Sequence, residues 1–234
     1  DTQGFSKAIG FDSNHQIQTV SLDRKQLDTF ITKIDSQSSF SKKKQATIDF
    51  PNESGQPEKF SVREVDLLSY ELSSEHPNIK TFVGTSLSRK NVHARWSISP
   101  LGVNAMIDSP EGQFFLQPDR SGNENKHLFY KRGGTLYDDF ESLNCLVTAD
   151  KTVKKSTVQT KTQNKQVSKS SSVQTLKTYR IAVSATGEFT QYWGDDDDTN
   201  GTNKEDAYAK IISTINRINQ VFQNDLGVQL QLVS

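Results

Sequence analysis

The chain has 234 residues, of which 28 are basic and 28 acidic, so its formal net charge is zero. That balance excludes nucleic-acid binding by bulk basicity and an acidic solvating chain alike. Hydrophobic residues make up 32%, below the ~45–50% (glycine included) of ordinary globular domains. A core is therefore expected along part of the chain only. The single cysteine, Cys145, excludes an internal disulfide framework and a cysteine-rich zinc cluster. No apolar run approaches the ~18 residues of a membrane-spanning helix, and the first residues of the given sequence show no signal-peptide pattern.

Composition divides the chain into three regions, at about 1–150, 151–177 and 178–234. The first reads mainly as short strands. A helix is expected there only near 23–34, where Leu27, Phe30, Ile31 and Ile34 recur at helical spacing. Phe60, Val62, Val65 and Leu67 predict extended chain. Residues 79–84 and 94–99 alternate as half-buried strands do. Pro100-Leu101-Gly102 and Ser109-Pro110-Glu111-Gly112 are turn signals that separate 94–99, 103–108 and 113–117. Residues 127–131 follow a polar loop, and Gly133-Gly134 closes the run. Successive short strands with turns between them predict an antiparallel meander.

Residues 151–177 alternate Lys with Thr, Ser, Gln and Asn, without an aromatic, an acid, Gly or Pro. Such a stretch cannot bury enough apolar surface to offset chain entropy. It reads as a solvated, protease-accessible linker, the alternative being an edge strand on Val153, Val158, Val167 and Val173. Without aromatic groups for stacking, a nucleic-acid tail is disfavoured.

The third region has the clearest pattern. Residues 179–184 predict a strand, followed by a loop that carries Trp193-Gly194 and Asp195–Asp198. Thr202 and Glu205 form a capping box at the start of a helix whose Tyr208, Ile211, Ile212, Ile215, Ile218 and Phe222 make one wide apolar face. Gly227 stands just past the helix end, and 228–233 alternate as a second strand. This is a βαβ unit with parallel strands. Two strands and one helix leave much of such a sheet uncovered, so the unit is expected to continue beyond Ser234. Overall the fold class is α+β: a strand-rich antiparallel region, a flexible linker, and the first β-α-β unit of an incomplete α/β domain.

Residues 178–194, from Thr178-Tyr179-Arg180-Ile181-Ala182-Val183 to Tyr192-Trp193-Gly194, together with Ile215-Asn216-Arg217-Ile218-Asn219 and the strand after it, resemble the opening of a metzincin zinc-protease catalytic domain of the reprolysin group. The wording is most similar to secreted reprolysin-like peptidases of Bacteroidetes bacteria, and the first region resembles their propeptide, especially from Phe82-Val83-Gly84 through Ala105. The resemblance implies a zymogen of a secreted zinc metalloendopeptidase. Residues 1–150 would be an inhibitory, folding-assisting prodomain, 151–177 would hold the activation cleavage, and 178–234 would begin the catalytic domain. Its partners would be the catalytic domain of its own precursor and, for the mature enzyme, protein substrates, with neither nucleic acid nor a membrane span.

The family's zinc motif, His-Glu-x-x-His-x-x-Gly-x-x-His, does not occur in the chain. His15, His76, His93 and His127 are too far apart in sequence to form it, so no catalytic residue is assigned and the zinc ligands are expected outside this chain. The resemblance gives Cys145 a role as the propeptide thiolate that ligates zinc and keeps the precursor latent. The alternative is a small buried hydrophobe beside Leu143, Leu146 and Val147. Asp195–Asp198 is a candidate calcium site by its carboxylates, or a solvated loop before the helix N-terminus. Asp138 and Asp139 lack a cleft that would make them an acid–base pair. Trp96 and Trp193 read as core or loop anchors. The competing functional reading is a non-enzymatic, strand-rich extracellular binding or adhesion module.

Overall fold

The computed structural model describes residues 10–12, 17–36, 45–119, 125–133, 176–194 and 202–234. In chain order the elements are β1 (Gly10–Asp12), β2 (Ile17–Ser21), α1 (Arg24–Asp35), β3 (Gln45–Pro51), β4 (Pro57–Glu64), α2 (Tyr70–Glu75), β5 (Lys80–Ser86), β6 (His93–Ser99), β7 (Gly102–Ser109), β8 (Gly112–Pro118) and β9 (Lys126–Lys131). After them come β10 (Lys177–Ile181), α3 (Gly187–Trp193), α4 (Asn203–Leu226) and β11 (Val228–Leu232). Nine strands form one sheet in the order β1-β2-β9-β8-β7-β6-β5-β4-β3, and β10 and β11 form a second. The fold is α+β.

The large sheet is the expected antiparallel meander from β4 to β9, extended at the β4 end by β3, which the sequence reading does not contain, and at the β9 end by β1 and β2. Its tight turns lie where the punctuation places them. Ser99 pairs with Gly102 and Ser109 with Gly112. Both glycines hold positive φ, 108° and 127°, a region that a side chain would strain. β2 and β3 lie toward opposite edges of the sheet, so the chain between them must cross it, and α1 makes that crossing. Asp23 caps α1 by accepting a hydrogen bond from the Gln26 amide. Leu27, Phe30 and Ile34 turn into the core. Trp96 sits at the centre of this core, fully buried. It stacks on Phe82 at 4.3 Å and meets Phe30 and Phe50 at 5.3 and 5.4 Å. It is the core anchor that its strand pattern allows, and not a ligand platform.

Arg89 ties three turns together on the rim. It donates to Glu58 from Nε and from Nη2, the latter at 2.6 Å, and also reaches Glu53 and Glu111. Burial alone would raise the Glu58 carboxyl, but hydrogen bonds from Arg89 and Ser86 outweigh it and hold the group below its ordinary value.

In the smaller sheet β10 and β11 are parallel, joined through α3 and α4, as the βαβ pattern requires. Three local features depart from the sequence reading. The first strand runs 177–181 rather than 179–184. The stretch read as loop contains α3, capped by Thr186, which accepts from the Phe189 amide. A second short helix, α2, occurs in the first region where only α1 was expected. Ser69 caps it, and only Leu72 buries a side chain from it, too little periodicity for a pattern to register.

Candidate functional site

α4 is built as its sequence dictates. The Thr202 amide donates to Glu205 Oε2 at 2.7 Å, completing the capping box, and Gly227 ends the helix with φ 63°. The single apolar face expected of it is half of the arrangement. Ala209, Ile212 and Ile215 pack with Leu67, Leu68, Leu72, Ile79 and Leu232 in a second core, while Tyr208, Ile211 and Ile218 are only partly buried there. A polar face is buried as well: Ser213, Asn216, Asn219 and Gln220 are each less than a tenth exposed. That face turns toward β6 and β11, and it carries most of the specific geometry.

Asn219 forms a two-point clip on β11. Its Nδ2 donates to Leu230 O at 2.8 Å, and its Oδ1 accepts from Leu230 N at 2.7 Å. The side-chain amide thus replaces a neighbouring strand for one residue. The other edge contact of β11 is to the antiparallel region. Leu232 N donates to Leu67 O, and Ser69 N donates to Leu232 O, both at 2.8 Å, with a parallel bridge at Leu68. Three residues between β4 and α2 therefore form the beginning of a third strand on the small sheet.

A second set of bonds joins α4 to β6. Asn216 Nδ2 donates to Trp96 O at 2.9 Å, and Arg95 Nη1 donates to Asn216 Oδ1 at 3.1 Å. Arg95 Nη2 also donates to Gln223 Oε1. Arg95 is 3% exposed. Burial, with Arg63 adding a like charge, pushes its guanidinium down to about 10. The adjacent Arg217 lies over the Phe115 ring at 5.0 Å, a cation–π contact, and burial lowers it too. At the start of the helix Tyr208 stacks on His76 at 4.2 Å, its hydroxyl pushed up to about 12 by burial, with Glu75 adding. Lys210 Nζ sits 3.8 Å from the Trp193 ring centroid, so Trp193 anchors α3 to α4.

The histidines are dispersed. His76 follows α2, His93 is exposed on β6, and His127 is fully buried on β9; His15 lies outside the described residues. His127 Nε2 accepts from the Val103 amide at 3.2 Å, and burial pushes its pKa down to about 4. Cys145, Asp138, Asp139 and Asp195–Asp198 also lie outside the described residues. Among the described residues, no three His, Cys, Asp or Glu side chains come together to hold a metal, and no helix is long and apolar enough to cross a membrane.

Asn216 and Asn219 had a sequence signal that was passed over. They interrupt an isoleucine stripe at one-turn spacing, where exposed asparagines would be expected to lie on the opposite face. Arg95 had none, because an alternating strand places it on a nominally solvated side.

The order and geometry of β10, α4 and β11 are those of the segment with family likeness. Residues 175–234 match the reprolysin-like metallo-peptidases of family M12B. No curated protein matches the chain. The match covers β10, α3, α4 and β11. The matched stretch is thus similar to the start of a reprolysin-like metallo-peptidase domain, and Asn216 and Asn219 of α4 lie within it. M12B enzymes are typically zinc-dependent, but the described residues do not supply a ligand set for that metal.

Proposed function

We propose that the chain is a precursor fragment of a secreted zinc metalloendopeptidase, in which residues 1–150 keep the enzyme latent and assist its folding. The observation that carries this reading is the joint between the two regions. The matched segment does not stand apart from the antiparallel sheet, because β11 takes Leu67–Ser69 as an edge partner and α4 lies on β6. A prodomain that templates its catalytic domain needs such contacts with the first elements of that domain. Residues 151–177 are the proposed site of activation cleavage, since their composition gives a protease no core to resist it. Cys145 is the proposed thiolate for the parent enzyme's zinc.

The reading makes concrete demands. Limited proteolysis with mass spectrometry should place the first cuts within 151–177, and first cuts within 82–130 would overturn it. The purified chain should show no casein hydrolysis that a chelator abolishes. In the full precursor, Cys145→Ser should shorten the activation lag at normal soluble yield. An unchanged lag with reduced yield would assign Cys145 to packing instead.

A further inference from the structure

A pocket of about 350 Å³ opens where the outer face of β4, β5 and β6 meets the last turns of α4. Its wall includes Arg63, Arg95, His93, Thr85, Gln223 and Asn224. Arg63 pairs in register with Val83, and Val83 with Arg95. The two guanidiniums thus start from one cross-strand row two strand spacings apart, or ~9.6 Å, within reach of a common point for side chains of this length. Arg63 is exposed at the mouth. Arg95 is buried in the wall.

The charge at this pocket is unbalanced. Among the described residues, the guanidinium of Arg95 meets only the amide oxygens of Asn216 and Gln223, and the one charged group near enough to act on it is Arg63, which repels it. Among the described residues, no acidic one lines the pocket. A buried charge is ordinarily met by an opposite one, since desolvation without compensation costs several kcal/mol. The partial negative end of α4 offsets at most about half a charge, against two guanidiniums. Arginine forks bind phosphate and carboxylate oxygens in preference to other ligands, and the wall's hydroxyl and amide groups suit the same oxygens.

We propose that this pocket binds a small oxyanion, phosphate or carboxylate, held between the Arg63 and Arg95 guanidiniums. The bound group would touch the large sheet on one side and α4 on the other, so occupancy should tighten the docking of the matched segment on the sheet. The site does not depend on the protease reading.

The test titrates the whole chain with inorganic phosphate and, separately, with citrate. Sodium chloride at matched ionic strength serves as control, and calorimetry and thermal unfolding are the readouts. A saturable heat and a saturable rise in unfolding temperature are expected with at least one anion, and the anion that saturates identifies the class. Arg63→Gln, an exposed change that leaves the core intact, should weaken that binding at least tenfold. Arg95→Lys, which keeps the charge and loses the fork, should weaken it as well. No saturable response to either anion beyond the salt control, or equal affinity in Arg63→Gln, would overturn the proposal.

Discussion

Replacing Asn219 by Ala tests whether one side chain holds β11 in place. Asn219 is fully buried, and its amide makes two short bonds to the backbone of Leu230. Ala removes both and leaves the N–H and C=O of half-buried Leu230 without their side-chain partner. Each unpaired group costs about 1–3 kcal/mol. Partial access of water to the vacated space moves the sum to the lower half, about 2–4 kcal/mol. At 1.4 kcal/mol per decade, protection of β11 amides should fall roughly 30- to 1,000-fold, provided they exchange by local opening. Hydrogen exchange with mass spectrometry on peptides spanning 228–232 gives the number, with β6 and β7 peptides as internal controls. Asn219→Asp sharpens the test. It keeps the acceptor for Leu230 N but turns a carboxylate toward Leu230 O, so it should lose at least as much protection at pH 7 and recover part of it once the acid is protonated. Protection within twofold of wild type in Asn219→Ala would refute the reasoning and assign β11 to apolar packing alone.

Three further outcomes follow from the two cores and the rim. His127 has a folded pKa near 4 against 6.5 in the unfolded chain. The unfolded state therefore binds the extra proton between those values, and stability rises with pH across that window. About 3 kcal/mol should be present above pH 6.5 and lost on descent toward pH 4; His127→Gln should flatten this slope in urea titrations between pH 6.5 and 5. Trp96→Ala, which empties the centre of the aromatic cluster, should cost about 3–5 kcal/mol by denaturant unfolding. Glu58 has a lowered pKa, so its contribution is present above pH 4.5 and lost as pH falls further. Glu58→Gln should reduce stability at pH 7, and that difference should shrink as the pH falls below 4.5.

The parts of the fold that could be read from sequence are those fixed by local rules. The α4 boundaries follow from Thr202, Glu205 and Gly227, and the hairpins from Gly102 and Gly112, because capping and left-handed turns restrict residue choice within a few positions. The parallel pairing of β10 with β11 follows from chirality and the helix between them. What was not legible is what depends on distant chain. β2 pairs with β9, and Leu67–Ser69 with β11, yet neither segment carries a period of its own. The strand 94–99 shows the limit most clearly. Its alternation is real, and it predicts one wet face. Instead β6 is buried on both faces, apart from His93, and α4 covers Arg95 with side chains as polar as it is. Two polar faces that satisfy each other look, one strand or one helix at a time, like two faces meant for water. The Cys145 and Asp195–Asp198 readings lie outside the described residues, so the structure does not bear on them.

The crossing made by α1 has a consequence for how the chain is built on the ribosome. β2 leaves the exit tunnel more than a hundred residues ahead of β9, its long-range partner, since Ile17 pairs with Tyr130 and Ser21 with Lys126. The meander from β3 to β8 can zip strand by strand as it emerges, each hairpin closing on its predecessor. The short β1–β2 pair can close locally but must wait for β9 to join the sheet, with Leu27, Phe30 and Ile34 of α1 able to pack as soon as β6 arrives. Translation order thus makes the first strands to be synthesised among the last to be joined to the large sheet, and the β9 edge is where a nascent chain stays open longest.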